Sequence, residues 1–191
     1  DPDQHVMAVG GYGYVLETDD GGQSWTKRTT SLDNPDGWHL YAVRPIPRGD
    51  GTVLVAGERG TLFRSRDHGG SWSVLESPYD GSWFGITAAG RETVLAHGLR
   101  GNVWLTRDMG ESWQRIKTGV SRGINDGTVL ADGSIVLVGN SGVLLTSHDN
   151  GASLSLRYTQ ARANLSAVLP LRNGGVLTAG ESGLARIRDL H

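Results

Sequence analysis

Short apolar runs separated by clusters rich in glycine and aspartate fill the chain from end to end. Between residues 39 and 76 the runs are HLYAVRP (39–45), TVLVA (52–56), TLFRS (61–65) and SWSVLE (71–76). Valine, leucine and aromatic residues bounded by turn formers read as β-strands. Four such runs within about forty residues predict a four-stranded unit. The following stretch repeats the arrangement at 84–88, 93–97, 102–106 and 112–116. No apolar stripe of helical period interrupts it, and no apolar run is long enough to cross a membrane as a helix.

Four segments share one grammar: a hydroxyl residue, any residue, Asp, any residue, Gly, two further residues, then Trp, or Leu in the fourth. They are TDDGGQSW (18–25), SRDHGGSW (65–72), TRDMGESW (106–113) and SHDNGASL (147–154), with aspartates Asp20, Asp67, Asp108 and Asp149. The spacings are 47, 41 and 41 residues. A second element precedes each box: GGYGYVLET (10–18), GERGTLFRS (57–65), GLRGNVWLT (98–106) and GNSGVLLTS (139–147). A fifth copy, GESGLARIR (180–188), keeps the 41-residue step, but its box is lost because Leu190 stands where Asp is expected.

The predicted architecture is all-β: a β-propeller of four-stranded antiparallel blades forming one domain over 1–191. The blade repeats fall at about 1–30, 38–77, 83–118, 124–159 and 165–191. The first repeat lacks its first strand and the fifth its fourth. The chain is therefore either a five-bladed ring or part of a larger one, such as seven blades. Open blade edges expose unpaired backbone groups, which makes self-association an expectation.

Composition narrows the function. Glycine, at 29 residues, is about twice as frequent as usual and marks many tight turns. A net charge of -2, from 18 basic and 20 acidic side chains, argues against nucleic acid or anionic lipid as the main partner. The absence of cysteine excludes disulfides and thiolate metal sites. The six histidines, the last of them His191, show no ligand spacing, so no metal is expected; no cofactor fingerprint occurs.

In the boxes, the Asp and hydroxyl side chains are suited to accept hydrogen bonds from the backbone of their own turn. Glycine supplies an angle that a Cβ disfavours. Trp25, Trp72 and Trp113 are expected to begin the fourth strands and to bury their rings over the turn or between blades. The repeated aspartates read as turn fasteners, not metal ligands or catalytic acids, since one catalytic acid per blade has no mechanistic use.

These boxes resemble the Asp-box, or bacterial neuraminidase repeat, superfamily. The segments AVGGYGYVLETDDGGQSW (8–25) and VAGERGTLFRSRDHGGSW (55–72) are most similar to the photosystem II stability/assembly-factor-like propellers. That resemblance implies a propeller, usually of seven blades and usually exported to a periplasm or lumen, that assists assembly of a membrane complex without catalysis. Its implied partner is a protein, such as a membrane-complex subunit.

Loops joining fourth to first and second to third strands share one propeller face, where ligands usually bind. These loops carry Tyr12, Trp38, His39, Arg59, Tyr79, Trp83, Arg100 and Arg122. Exposed aromatics with arginine have the composition of a protein-binding hot spot. Packing of Trp38, Trp83 and Phe84 between blades is an equal reading of the same residues. The alternative function is a glycan-binding or sialidase-like glycoside-hydrolase propeller, but the carboxylates on these loops, Glu58 and Glu181, sit at one repeat position, as template residues do.

Overall fold

A computed structural model describes residues 4–28, 31–47, 50–172 and 174–190. The ends of the first and fifth predicted repeats, and His191, lie outside the described residues. Among the described residues, eighteen strands form five antiparallel sheets, and the helical turns are single 3-10 turns. The chain divides into two compact units, Asp1–Trp83 and Phe84–His191.

The first unit holds two blades. One is three-stranded: β1 (Val6–Val9), β2 (Val15–Thr18) and β3 (Thr26–Lys27). The other is four-stranded: β4 (Leu40–Pro45), β5 (Val53–Gly57), β6 (Leu62–Ser65) and β7 (Ser73–Val74). The second unit holds three. They are β8 (Trp83–Ala88) to β11 (Gln114–Ile116) through β9 (Val94–Gly98) and β10 (Val103–Thr106), then β12 (Ile124–Val129), β13 (Ile135–Gly139), β14 (Val143–Ser147) and β15 (Ser155–Tyr158), and finally β16 (Leu165–Pro170), β17 (Val176–Gly180) and β18 (Gly183–Ile187). Among the described residues, as the sequence predicts, no first strand precedes β1 to β3 and no fourth follows β16 to β18.

Burial grades across each blade. β13 and β14 are buried at every position, whereas the fourth strands are short and largely exposed. The predicted fourth strand 71–76 shrinks to Ser73–Val74, because only two of its residues pair with β6. Val15, Leu32, Leu40, Val55 and Phe63 form the core of the first unit. The second unit has one cluster around Leu95, Leu137 and Leu145 and another around Val138, Leu144 and Val168.

Two devices repeat. The pairing of first with second strand slips by one residue after Leu40, Ile124 and Leu165, leaving Tyr41, Asn125 and Ser166 as bulges. At the far end of the second strand, a carbonyl from just before the first strand approaches closely: His39 O accepts from Glu58 N, Gly123 O from Asn140 N and Asn164 O from Glu181 N, at 2.9 to 3.0 Å. Glycine precedes each donor because a Cβ at Gly57, Gly139 or Gly180 would stand 2.0 to 2.3 Å from that oxygen. In the second unit, neighbouring blades are also tied by side chains. Asn125 Nδ2 donates to Leu165 O at 2.7 Å, and Asp126 accepts from Val168 N at 2.8 Å.

Candidate functional site

The Asp boxes come first, because they fix the ends of the strands. Asp20, Asp67, Asp108 and Asp149 each accept from the backbone N–H and the hydroxyl of the serine four residues on, Ser24, Ser71, Ser112 and Ser153. Each also accepts from its own strand-end hydroxyl, on Thr18, Ser65, Thr106 or Ser147, at 2.6 to 2.8 Å. That hydroxyl in turn accepts from the glycine N–H, at Gly22, Gly69, Gly110 and Gly151. The residue between Asp and Gly is also left-handed, as Gly21, His68, Met109 and Asn150. The motif as defined by its Asp, Gly and Trp leaves this serine out, although it stands at the same place in all four boxes.

These bonds hold the carboxylates ionised. The Ser71 hydroxyl, then the Ser71 N–H, lowers Asp67 from the ordinary 3.8 to about 2. Ser153 does the same for Asp149, also to about 2. Burial pushes Asp108 up, but the bonds from Ser112, Thr106 and Glu111 together outweigh it and the net shift is downward. A carboxyl depressed in the folded state stabilises fully above its unfolded value and loses that contribution as pH falls through the folded one. The urea-unfolding midpoint is therefore expected to be flat above about pH 4 and to fall between about pH 4 and pH 2. In Ser71→Ala and Ser153→Ala the neighbouring aspartate should titrate at higher pH, read by carbon-detected NMR; unchanged titration would show that the serines do not hold the charge.

The tryptophans need correction. Trp25, Trp72 and Trp113 precede the fourth strands by one residue and do not begin them. Trp25 and Trp72 do lie against their own box glycines, Gly22 and Gly69. Trp72 also packs on the first unit's core, but Trp25 is 45% exposed and leaves nearly half of its surface in water.

The strand-connecting loops follow one construction. Tyr12, Arg59, Arg100 and Ser141 occupy the middle of a 3-10 turn with φ between 49° and 58°. The loop that follows the fourth strand braces each turn: Gly60 N donates to Gly81 O at 2.8 Å, and Thr118 Oγ1 to Gly101 O at 2.9 Å. The fifth copy differs, since β17 and β18 join directly through Glu181 and Ser182.

In the first unit this construction assembles an aromatic and basic surface. Asn34 clamps Trp38 by donating to its carbonyl at 2.9 Å and accepting from its N–H at 3.0 Å. The Arg59 guanidinium lies over the Trp38 ring, 4.6 Å from its centre. Tyr12, 74% exposed, meets His39 edge-on at 5.1 Å, and His39 meets Tyr41 at 6.4 Å. Glu58 accepts from His39 N at 2.9 Å and from the Tyr41 hydroxyl at 3.1 Å. The His39 N–H bond is the main reason its carboxyl lies below the usual range. Tyr41, not foreseen as part of the surface, is placed there by the bulge.

Trp83 does not belong to this surface. It is 0% exposed, its indole N–H donates to Ser77 Oγ at 3.1 Å, and Tyr79 packs edge-on against it at 5.3 Å. The repeat register explains why: Trp83 aligns with Leu40, Ile124 and Leu165, the buried first residues of the other first strands. Tyr79 is half-buried as its lid. Arg100 and Arg122 are exposed in the second unit, Arg100 on its 3-10 turn and Arg122 in the loop after β11. The loop carboxylates are engaged by their own blades: Glu181 accepts from Asn164 N at 3.3 Å and Asn164 Nδ2 at 2.7 Å, as Glu58 does from His39 N and the Tyr41 hydroxyl. Among the described residues no cluster of three or more His, Asp or Glu side chains is arranged to hold a metal, and no helix is long and apolar enough to cross a membrane.

Known proteins share this design. Residues 1–128 match the family model of photosynthesis system II assembly factor YCF48. The photosystem II assembly lipoprotein Ycf48 of Synechococcus sp. (strain CC9902) is 32% identical over 89 residues, 46% of this chain and 26% of the relative. Among solved structures, YCF48 bound to D1 peptide superposes with a TM-score of 0.74 at 22% identity, covering 96% of this chain and 60% of the other. YCF48 from Cyanidioschyzon merolae gives 0.72 at 21%, covering 100% and 65%. The WD40 β-propeller domain of Doa1 gives 0.76 at only 12% identity, covering 99% and 62%, so the likeness to these structures is one of fold. The chain thus spans less than two thirds of each solved relative, and its match covers about a quarter of the curated one. The fold is a β-propeller built of Asp-box blades, and the chain belongs to the photosynthesis system II assembly factor YCF48 family.

Proposed function

We propose that this chain is a non-catalytic assembly factor that holds a segment of a membrane-complex subunit against the surface formed by Tyr12, Trp38, His39 and Arg59. The observation that carries the reading is the stacked pair of Arg59 and Trp38 beside an exposed Tyr12. Large rigid aromatics next to a guanidinium give contact area at low entropic cost, together with a donor fork for carboxylates. Arg59 and Tyr12 sit in a backbone conformation unfavourable for a side chain with a Cβ, fixed by the braces beneath them. A relative solved with a D1 peptide bound supports a protein ligand, and a lipoprotein relative supports an exported setting. The glycan-hydrolase alternative draws no support from Glu58 and Glu181, whose carboxylates are engaged by their own blades.

Calorimetric titration with a D1 peptide tests the reading. Binding is expected, and Tyr12→Ala with Arg59→Glu should weaken it by at least about tenfold. Undiminished affinity in a variant with an unchanged urea midpoint would remove this surface from the function.

A further inference from the structure

In the second unit, two side-chain amides are half-satisfied and turned toward one place. Asn125, the bulge residue of β12, donates from Nδ2 to Asn140 Oδ1 and to the Leu165 carbonyl, each at 2.7 Å. These bonds use both of its side-chain N–H groups and fix which way each amide is turned. Among the described residues, Asn125 Oδ1 and Asn140 Nδ2 then have no hydrogen-bond partner. Both residues are half-buried, and neither atom is sealed from solvent. The two atoms meet over Gly123. A Cβ built there would stand 3.2 Å from Asn140 Nδ2, 3.4 Å from Asn125 Oδ1 and 3.2 Å from Phe84 Cε2. Gly123 is not left-handed, so its bareness serves space and not backbone conformation.

The fourth blade departs from its own template to make this corner. The 41-residue step puts Asn140 where the second and fifth blades carry Glu58 and Glu181. Those carboxylates accept the backbone N–H of His39 and Asn164, the residue before each first strand. In the fourth blade that residue is Gly123, and Asn140 holds Asn125 instead. A brace spent on its own blade elsewhere ends here in one free donor and one free acceptor, next to the edge of an aromatic ring.

An acceptor beside a donor selects its ligand by pattern. A carboxylate would set an oxygen against Asn125 Oδ1, and an ammonium would set N–H against Asn140 Nδ2. A trans peptide carries its N–H and C=O on opposite edges and cannot satisfy both. A primary carboxamide carries them on one edge. We propose that Asn125 and Asn140 bind the side-chain amide of a glutamine in a partner protein. Its oxygen accepts from Asn140 Nδ2, its nitrogen donates to Asn125 Oδ1, and its methylenes lie along Phe84. This corner uses none of the residues of the aromatic surface, so either can fail without the other.

The probe is a capped Gly-Gln-Gly peptide, titrated while the side-chain amide protons of Asn125 and Asn140 are followed by NMR. Saturable shifts of both are expected, with a Kd on the order of 1 mM. Gly-Glu-Gly should bind at least about tenfold more weakly. Asn140→Asp keeps the bond from Asn125, since a carboxylate oxygen still accepts it, but turns the free donor into an acceptor. Followed on Asn125, this variant should lose about tenfold for the glutamine peptide and gain Gly-Arg-Gly, whose guanidinium presents two N–H groups on one edge. An unfolded variant would show no such gain, and the contrast between glutamine and glutamate on the unaltered protein stands whether or not the variant folds. No saturable shift, equal affinity for those two peptides, or a folded Asn140→Asp protein that holds the glutamine peptide as before would each overturn the proposal. So would tighter binding of adenosine, whose N6–H and N7 present the same pair of groups, in that case in favour of a nucleobase.

Discussion

Replacing Trp83 with alanine is expected to lower the stability of the protein by about 3–5 kcal/mol, the usual cost of removing a large buried aromatic. The ring is wholly buried, and its loss would also strip Tyr79 of the surface it packs against. Trp83→Phe should cost less, since it keeps part of the volume, and Ser77 Oγ retains its bond to the Tyr79 carbonyl at 2.7 Å. Urea unfolding measures both. Peptide affinity, measured well below the unfolding midpoint, should be unaffected in the phenylalanine variant. A variant that kept its stability and lost the peptide would return Trp83 to the binding surface.

The second large effect is expected at Gly101, where Gly101→Ala should cost about 2–5 kcal/mol. Two penalties coincide there. Its φ is +72°, which L side chains rarely adopt, and a Cβ would stand 2.1 Å from the Val120 carbonyl oxygen. Backbone cannot yield as a flexible side chain can, so the loop after β11 must move and break its bond from Thr118. Gly90→Ala, with a φ of +95° and nothing near its Cβ, isolates the first penalty and should cost only about 1 kcal/mol. Equal losses in the two variants would show that the close approach to Val120 contributes nothing.

The blades were legible because their signals are local and repeated: a box, a glycine turn and apolar runs at a fixed step. Strand ends were less so, as β7 shows, because the length of a fourth strand depends on how far its partner runs beside it. The candidate surface was read from loop position, and the structure sets Tyr12, Trp38, His39 and Arg59 side by side. Loop position left Trp83 open between surface and packing, and superimposing the repeats decides for packing by putting that residue on the buried first position of its strand. Tyr41 was missed for a different reason. A bulge shifts which side of the strand a residue faces, and the alternation of apolar and polar positions does not announce it. Trp25 shows the limit of template reasoning, since a conserved place in a motif says nothing about whether a neighbouring element arrives to cover the ring.

The Asp-box corners close on themselves within four residues, from Thr18 to Gly22 or Asp67 to Ser71. Rings that small cost little closure entropy and form on the fastest timescales available to a polypeptide. The third and fourth strands of a blade can thus find their alignment as soon as both have left the ribosome, while the pairing of first with second strand comes later. A folding nucleus of this kind is portable: each corner carries its own instructions, and a chain that gains or loses a repeat keeps the means to fold those that remain.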